Sequence, residues 1–262
     1  MENAAAELRF LTQSNNRAEA LGVIADGEPI ERTELESQLD ASHRTVVRVV
    51  NSLEERGYLR ETSHGLRLTP FGASVVTRFD DFLDWTSTVV EFGPLLQNAP
   101  PVFRDLPTGA LSDADLLVAS NADPFSILDR VLSLRAEAAY IREVAPSIQR
   151  ESIDQLASRV RHDDELDVET VISKQASERA SERVDYRDGH ATTVESDAVD
   201  IYVHPEPISF FAGVMDDTAA FGVSKDGQPY ALAVSTDPEL RAAAESIFEA
   251  YRDAATRKTT VL

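Results

Sequence analysis

The chain has no cysteine, and only three lysines (Lys174, Lys225, Lys258), two methionines and one tryptophan (Trp85) among its 262 residues. Without cysteine there can be no disulfide and no thiolate metal site. No apolar run approaches the ~18 residues that mark a membrane span. The opening MENAAAELRF lacks the basic flank and apolar stretch of a secretory signal. The chain therefore reads as cytoplasmic, with no membrane partner. Catalytic signatures are missing too. There is no phosphate-binding P-loop, no G-x-G-x-x-G after a strand and no nucleophile elbow. His190 and His204 stand apart, without ligand spacing. The acidic run HDDELD at 162–167 reads as a solvated face rather than a cation site. These absences disfavour an enzyme, and neither cofactor nor metal is expected.

What the chain has in excess is acid: 46 aspartates and glutamates against 25 lysines and arginines, a net charge of -21. A surface this negative ordinarily argues against nucleic acid. An acid-rich, lysine-poor composition also resembles that of proteins from salt-filled halophilic cytoplasms, where hydration must be held against concentrated salt. The charge is uneven. Residues 1–72 carry 12 acids and 8 arginines, and the other 190 residues hold most of the excess. A chain of this length has room for two domains.

The nearly neutral N-terminal part is the informative one. ENAAAELRFLTQ is helix-prone, and NRAEALGVIAD repeats apolar residues at helical spacing. Asn15 or Asn16 would cap that second helix, and Gly27 with Pro29 would stop it. In ERTELESQLD, Thr33 and Glu36 have the spacing of a capping box. A helix capped by Ser42 follows. Its Val46, Val49, Val50 and Leu53 fall at i, i+3, i+4 and i+7, one buried face. Arg44, Arg48 and Asn51 fall on the opposite face, flanked by His43 and Thr45. Gly57 ends the helix. YLRET and LRLT then alternate as two short strands around the tip SHG, and Thr69-Pro70 opens another helix.

Helix, tight turn, helix and two-stranded ribbon make a winged helix-turn-helix, whose second helix enters the major groove of DNA. Arginine and asparagine read guanine and adenine edges there. Ser63, His64 and Arg67 at the hairpin would rest on phosphates. An isolated arginine-bearing helix face is most often just solvated surface. Here the helix pair, turn, strands and G-Y-L…L-T-P-F-G ending must be explained together, which favours double-stranded DNA as the partner.

PFGASVVTRFDDFLDWTSTVVEFGPLL is a long amphipathic connecting helix, apolar at Val75, Val76, Phe79, Phe82, Leu83 and Val90. It suits an interface shared with a second chain, so a homodimer is expected. The proline-bearing stretch to about residue 110 reads as a linker. The domains are therefore 1–72, a connecting segment 73–110, and 111–262. In the last, short apolar runs alternate with helical segments and end in two hairpin-style turns and an amphipathic helix, which argues for an α/β sheet with partly parallel strands. In open α/β sheets ligands sit beyond the carboxyl ends of parallel strands. Ser120, Asn121, Arg142 and Ser173 lie near such ends and are the candidate lining of a small polar pocket. The competing reading is that they are ordinary loop groups and helix caps.

The pattern S-x-N-R, a serine-capped helix ending LEERGYL, and LTPFG resembles haloarchaeal winged-helix transcription regulators of the FilR type, which join such a module to a methanogenesis-regulator middle domain. That resemblance implies a dimeric transcription regulator and leaves room for a small-molecule effector. The C-terminal element order resembles half of a phospholipase-D-like fold, found also in sugar-sensing archaeal regulators of the TrmB type. That fold's catalysis needs a histidine followed two residues later by lysine. None of His43, His64, His162, His190 or His204 has one. A protein-interaction or enzyme-like module using the winged helix only as a scaffold is the alternative.

Overall fold

The structure is a computed structural model that describes residues 2–162, 165–182, 193 and 196–258. His190, and Asp163 and Asp164 of the acidic run, lie outside the described residues. The chain divides into two compact units, Met1–Thr86 and Ser87–Leu262. The division falls inside the connecting helix rather than at Gly72. Among the described residues no helix is long and apolar enough to cross a membrane.

The first unit contains α1 (Glu2–Thr12), α2 (Asn15–Gly27), α3 (Arg32–Gln38), α4 (His43–Glu55), the hairpin β1 (Leu59–Thr62) and β2 (Gly65–Leu68), and most of α5 (Pro70–Glu91). Its core joins Ala20, Leu21 and Ile24 of α2 and Leu35 of α3 to the valine face of α4. Val46, Val49, Val50 and Leu53 are all buried; each contributes about 1.5–3 kcal/mol of transfer free energy. Ser42 caps α4, its hydroxyl accepting from the Thr45 N–H at 3.4 Å.

Two expected caps are absent, for local reasons. Helix α2 begins after Ser14, with Asn15 and Asn16 already inside it. Helix α3 begins after Glu31, which places Thr33 within the first turn, and the Glu36 carboxylate bonds His43 instead of closing a capping box.

Aromatic and arginine side chains tie α1 to the rest. The guanidinium groups of Arg17 and Arg56 each lie 4.1 Å from the Phe10 ring centroid. Tyr58, fully buried, donates to Glu7 at 2.7 Å. Burial, and then that bond, push the tyrosine's pKa above its ordinary value. Thr69 caps α5 through the Gly72 N–H at 3.0 Å. A Cβ on Gly72 would come within 1.8 Å of the Tyr58 carbonyl oxygen. Gly72→Ala is therefore expected to destabilise this unit by about 3 kcal/mol, the upper end of overpacking costs, read as a lower denaturation midpoint of the full chain.

The second unit begins with the last turn of α5, the short α6 (Gly93–Leu96) and two 3-10 turns at Pro101–Phe103 and Thr108–Asp113. The segment expected to be a linker is packed: Phe103, Leu106 and Leu111 are buried in this unit's core. Proline removes helical hydrogen bonds without removing apolar anchors, so low periodicity did not mean low burial.

The sheet strands are β3 (Asp115–Val118), β4 (Tyr140–Ala145), β5 (Asp167–Ser173), β6 (Val199–His204), β7 (Phe210–Met215), β8 (Thr218–Lys225), β9 (Gln228–Ser235) and β10 (Thr256–Arg257). Helices α7 (Ser126–Glu137), α8 (Arg150–Val160), α9 (Lys174–Glu182) and α10 (Pro238–Asp253) complete the unit. The spatial order is β10-β6-β5-β4-β7-β8-β9-β3. β4, β5 and β6 run parallel, and the hairpin-linked β7, β8 and β9 are antiparallel. One face of the sheet packs on α6, the 3-10 turns and α10; the other packs on α7, α8 and α9. Asp237 caps α10. Asp123 does not cap α7, which begins after Phe125 with no side-chain cap.

One charged pair lies inside this unit. Arg135 of α7 bonds Glu143 of β4 through two parallel contacts of 2.9 and 2.7 Å, with both side chains almost wholly buried. Thr170 donates to the same carboxylate at 3.1 Å. Breaking a buried pair costs more than removing both charges. Glu143→Ala is expected to destabilise the chain by about 3–5 kcal/mol, whereas Arg135→Met combined with Glu143→Leu is expected to be near neutral. Equilibrium denaturation checks both.

Candidate nucleic-acid interface

The candidate interface is built from helix α4 and the β1–β2 hairpin. Because the valine face of α4 is buried, helical geometry turns the residues between outward. Arg44, Arg48 and Asn51 are exposed. Together with Ser42, Thr45, Val47, Ser52 and Glu55 they line one open, shallow surface along the helix. The positive charge lies toward the N-terminal half, where unsatisfied N–H groups also point outward and favour anions. Glu55 puts an acid at the other end.

The fate of the eight arginines in residues 1–72 separates structure from surface. Arg17 donates to the Phe10 carbonyl at 2.6 Å, Arg56 pairs with Glu7 at 2.7 Å, and Arg32 grips Glu61 with bonds of 2.9 and 2.8 Å. The Arg32 bond holds the Glu61 carboxyl below its ordinary pKa and ties the start of α3 to the hairpin. Among the described residues the side chains of Arg44, Arg48, Arg60 and Arg67 have no ion pair; nor does that of Arg9, which lies on α1.

The hairpin has a built tip. Thr62 donates to the Gly65 carbonyl at 2.8 Å and accepts from the His64 N–H at 3.2 Å. Gly65 has φ +114°, and a Cβ there would lie 2.7 Å from the Ile30 carbonyl oxygen. That close approach lets Ile30 pair with Leu66 in a single antiparallel bridge beside the hairpin, with N–H to O bonds of 3.2 and 2.9 Å. Ser63 and His64 sit exposed at the tip, while Arg67 is half-buried on β2.

The register brings out a residue that the linear reading missed. Arg60 lies directly opposite Arg67 across the hairpin. Like charges facing each other across two strands are destabilising unless something neutralises them. The available signal was the tip spacing: pairing Thr62 with Gly65 fixes Arg60 against Arg67.

The other expected residues are placed as follows. His43 is largely exposed, but its Nδ1 bonds Glu36, so its ring braces α3 against the start of α4. Thr45 is engaged with Ser42, the two hydroxyls 3.0 Å apart. The four pocket candidates of the second unit do not come together. Ser120 and Asn121 follow β3 at one edge of the sheet, with β9, β8, β7 and β4 between them and the β5 that ends at Ser173. At the usual strand spacing that is roughly 24 Å. Ser173 is buried and caps α9 through the Ala176 N–H at 3.1 Å. Ser120 accepts from the Asp123 N–H at 3.2 Å. Arg142 sits near the start of β4, where Asp167 holds it at 2.8 Å and Glu169 at 2.7 Å. Ser120 and Ser173 thus take the loop and cap roles that competed with a pocket from the outset, and Arg142 is taken up by ion pairs.

Residues 5–89 match the HVO_A0261 N-terminal domain. Residues 124–254, half of the chain, match the middle domain of the methanogenesis regulatory protein FilR1. The chain belongs to the FilR1 middle-domain family. No protein of curated function matches it. Three solved structures are distantly similar. The archaeal chromatin protein TrmBL2, described as showing a novel mode of DNA binding, is 14% identical, with TM-score 0.40 over 94% of this chain and 96% of its own. A putative IclR-family regulator from Silicibacter is 16% identical, with TM-score 0.22 over 91% of this chain and 96% of its own. Another, from Rhodococcus, is 14% identical, with TM-score 0.21 over 95% and 96%.

Proposed function

We propose that this FilR1-family chain is a sequence-specific, DNA-binding transcription regulator that acts as a homodimer and answers to a small effector through its second unit. It carries out no catalysis in this reading. The observation that carries it is that every arginine on the outward face of α4 and on the hairpin strands is without an ion pair among the described residues: Arg44 and Arg48 on α4, and Arg60 against Arg67 on the hairpin. A protein whose net charge is -21 has acids to spare for these groups, yet leaves them open. Phosphate and base edges are the partners that fit them.

In this reading α4 enters the major groove from its N-terminal end. Arg44 and Arg48 take guanine edges and Asn51 an adenine. Ser63, His64, Arg60 and Arg67 meet phosphates, which set the register without reading sequence. Ser42 and Thr45 hold the helix N-terminus in position rather than reading bases. The dimer rests on the apolar face of α5, where Phe82, Trp85 and Val90 are all more than 45% exposed; a two-fold dimer matches the symmetry of duplex DNA. On its element order we read the second unit's sheet as a relative of the phospholipase-D-like half fold without its chemistry.

A mobility shift on the chain's own promoter, set against unrelated DNA of equal length, tests this reading, with the mass of the complex measured by light scattering. A shift confined to the promoter, at two chains per duplex, is the expected result. No preference for either DNA would sink it and leave the scaffold alternative.

A further inference from the structure

A cleft of about 280 Å³ opens between α7, the carboxyl end of β4 and the hairpin ends of β8 and β9. Its walls are mainly apolar: Leu128, Val131, Phe211 and Leu232 line it, Gln149, Ser224 and Gln228 add polar groups, and Phe125 stands at its edge with two-thirds of its surface exposed. A smaller chamber of about 60 Å³ adjoins it and shares Arg135, Ala145, Ser147 and Ser152. The cleft lies near the lower end of the ~300–1,000 Å³ typical of small-molecule sites.

The polar side chains common to both spaces are Arg135, Ser147 and Ser152; Glu143, which Arg135 grips, lines the smaller chamber. Arginine has five N–H donors. Bonds to Glu143 from Nε and Nη2, and to Ser152 from Nη1 at 2.9 Å, use three of them. Among the described residues the other two have no acceptor. A buried donor without an acceptor is costly, so the site calls for a ligand oxygen. Charge decides what kind. Among the described residues Arg135, which lines both spaces, and Glu143, which lines the chamber, are the only ionisable groups there, and they cancel. A ligand carboxylate would lie beside Glu143 with no cation of its own, and a ligand ammonium would lie beside Arg135. An uncharged group meets neither penalty.

We propose that this cleft binds an uncharged, mainly apolar small molecule whose single carbonyl or hydroxyl oxygen accepts from Arg135. As the effector site it rests on the regulator reading above; as a binding site it stands on the cavity alone.

The probe is 6-propionyl-2-dimethylaminonaphthalene, an uncharged fluorophore with an apolar body and one carbonyl, whose emission moves to the blue in an apolar site. The expected result is saturable binding of one probe per full-length chain. The anionic 1-anilinonaphthalene-8-sulfonate should bind at least about tenfold more weakly, a difference of roughly one decade in Kd. Leu128→Trp, which fills the cleft, should abolish the signal. The double variant Arg135→Met with Glu143→Leu, which removes the polar wall without leaving a buried charge, should weaken it about tenfold. Binding that does not saturate, equal affinity for the anionic probe, or an unchanged signal in folded Leu128→Trp would overturn the assignment. If Leu128→Trp does not fold, an unchanged affinity in the double variant does so instead. The same preparation is shifted on promoter DNA. A DNA shift without a saturable probe site removes the cleft assignment and spares the regulator reading; a probe site without a DNA shift does the reverse.

Discussion

Replacing Arg44 and Arg48 together by alanine is expected to abolish specific DNA binding and leave folding unchanged. Each good bidentate contact to guanine is worth about 1–3 kcal/mol of discrimination, so the pair accounts for roughly 2–6 kcal/mol, or about 30-fold to 10⁴-fold in affinity. Folding should be spared because neither side chain touches the valine face and neither has an ion pair to lose among the described residues. The hairpin arginines give the contrast. Arg60→Ala and Arg67→Ala should weaken specific and unrelated DNA alike, each lowering the salt slope by about one. The two effects separate in one titration series on two DNA sequences. An Arg44→Ala, Arg48→Ala protein that holds its promoter with unchanged affinity would remove α4 from the groove.

That contrast also shows what a linear reading of this chain reaches. The α4 face was legible because one short helix carries both its buried valines and its outward arginines, and the 3.6-residue period sorts them. The hairpin was legible because Gly57, the SHG tip and Thr69-Pro70 punctuate it. Which arginines are free was not legible. Arg17 and Arg56 are spent on Phe10 and Glu7 through contacts across α1, and sequence spacing does not encode them. Arg60 joins the interface only through strand register. In the second unit the alternation of elements gave the class of sheet but not the order of its strands. Placing β3 at the far edge, beside β9, separates Ser120 and Asn121 from Ser173. The cleft at the end of β4 depends on Arg135 and Glu143, eight residues apart on different elements, which no motif marks.

Specific affinity is expected to stay flat, or to rise, as potassium chloride increases toward molar concentrations. An ordinary basic protein making 6–10 phosphate contacts releases counterions and loses about 10³–10⁵ in affinity between roughly 50 and 200 mM salt. Two features of this chain oppose that loss. The arginines without ion pairs that would face DNA in the proposed reading are few: Arg44 and Arg48 on α4, and Arg60 and Arg67 on the hairpin. Against them stands a net charge of -21, most of it outside residues 1–72. At about 0.01 M salt the Debye length reaches roughly 30 Å, so distant carboxylates repel the phosphates and offset the local attraction. Near 1 M it shrinks to about 3 Å, and only direct contacts remain. Cations held between protein carboxylates and phosphates would be taken up on binding, opposite in sign to counterion release. The measurement is binding to one promoter fragment across a potassium chloride series, with folding checked by circular dichroism at each point. A steep log-linear fall over the range where the chain stays folded would show that the acidic bulk has no part in the interaction.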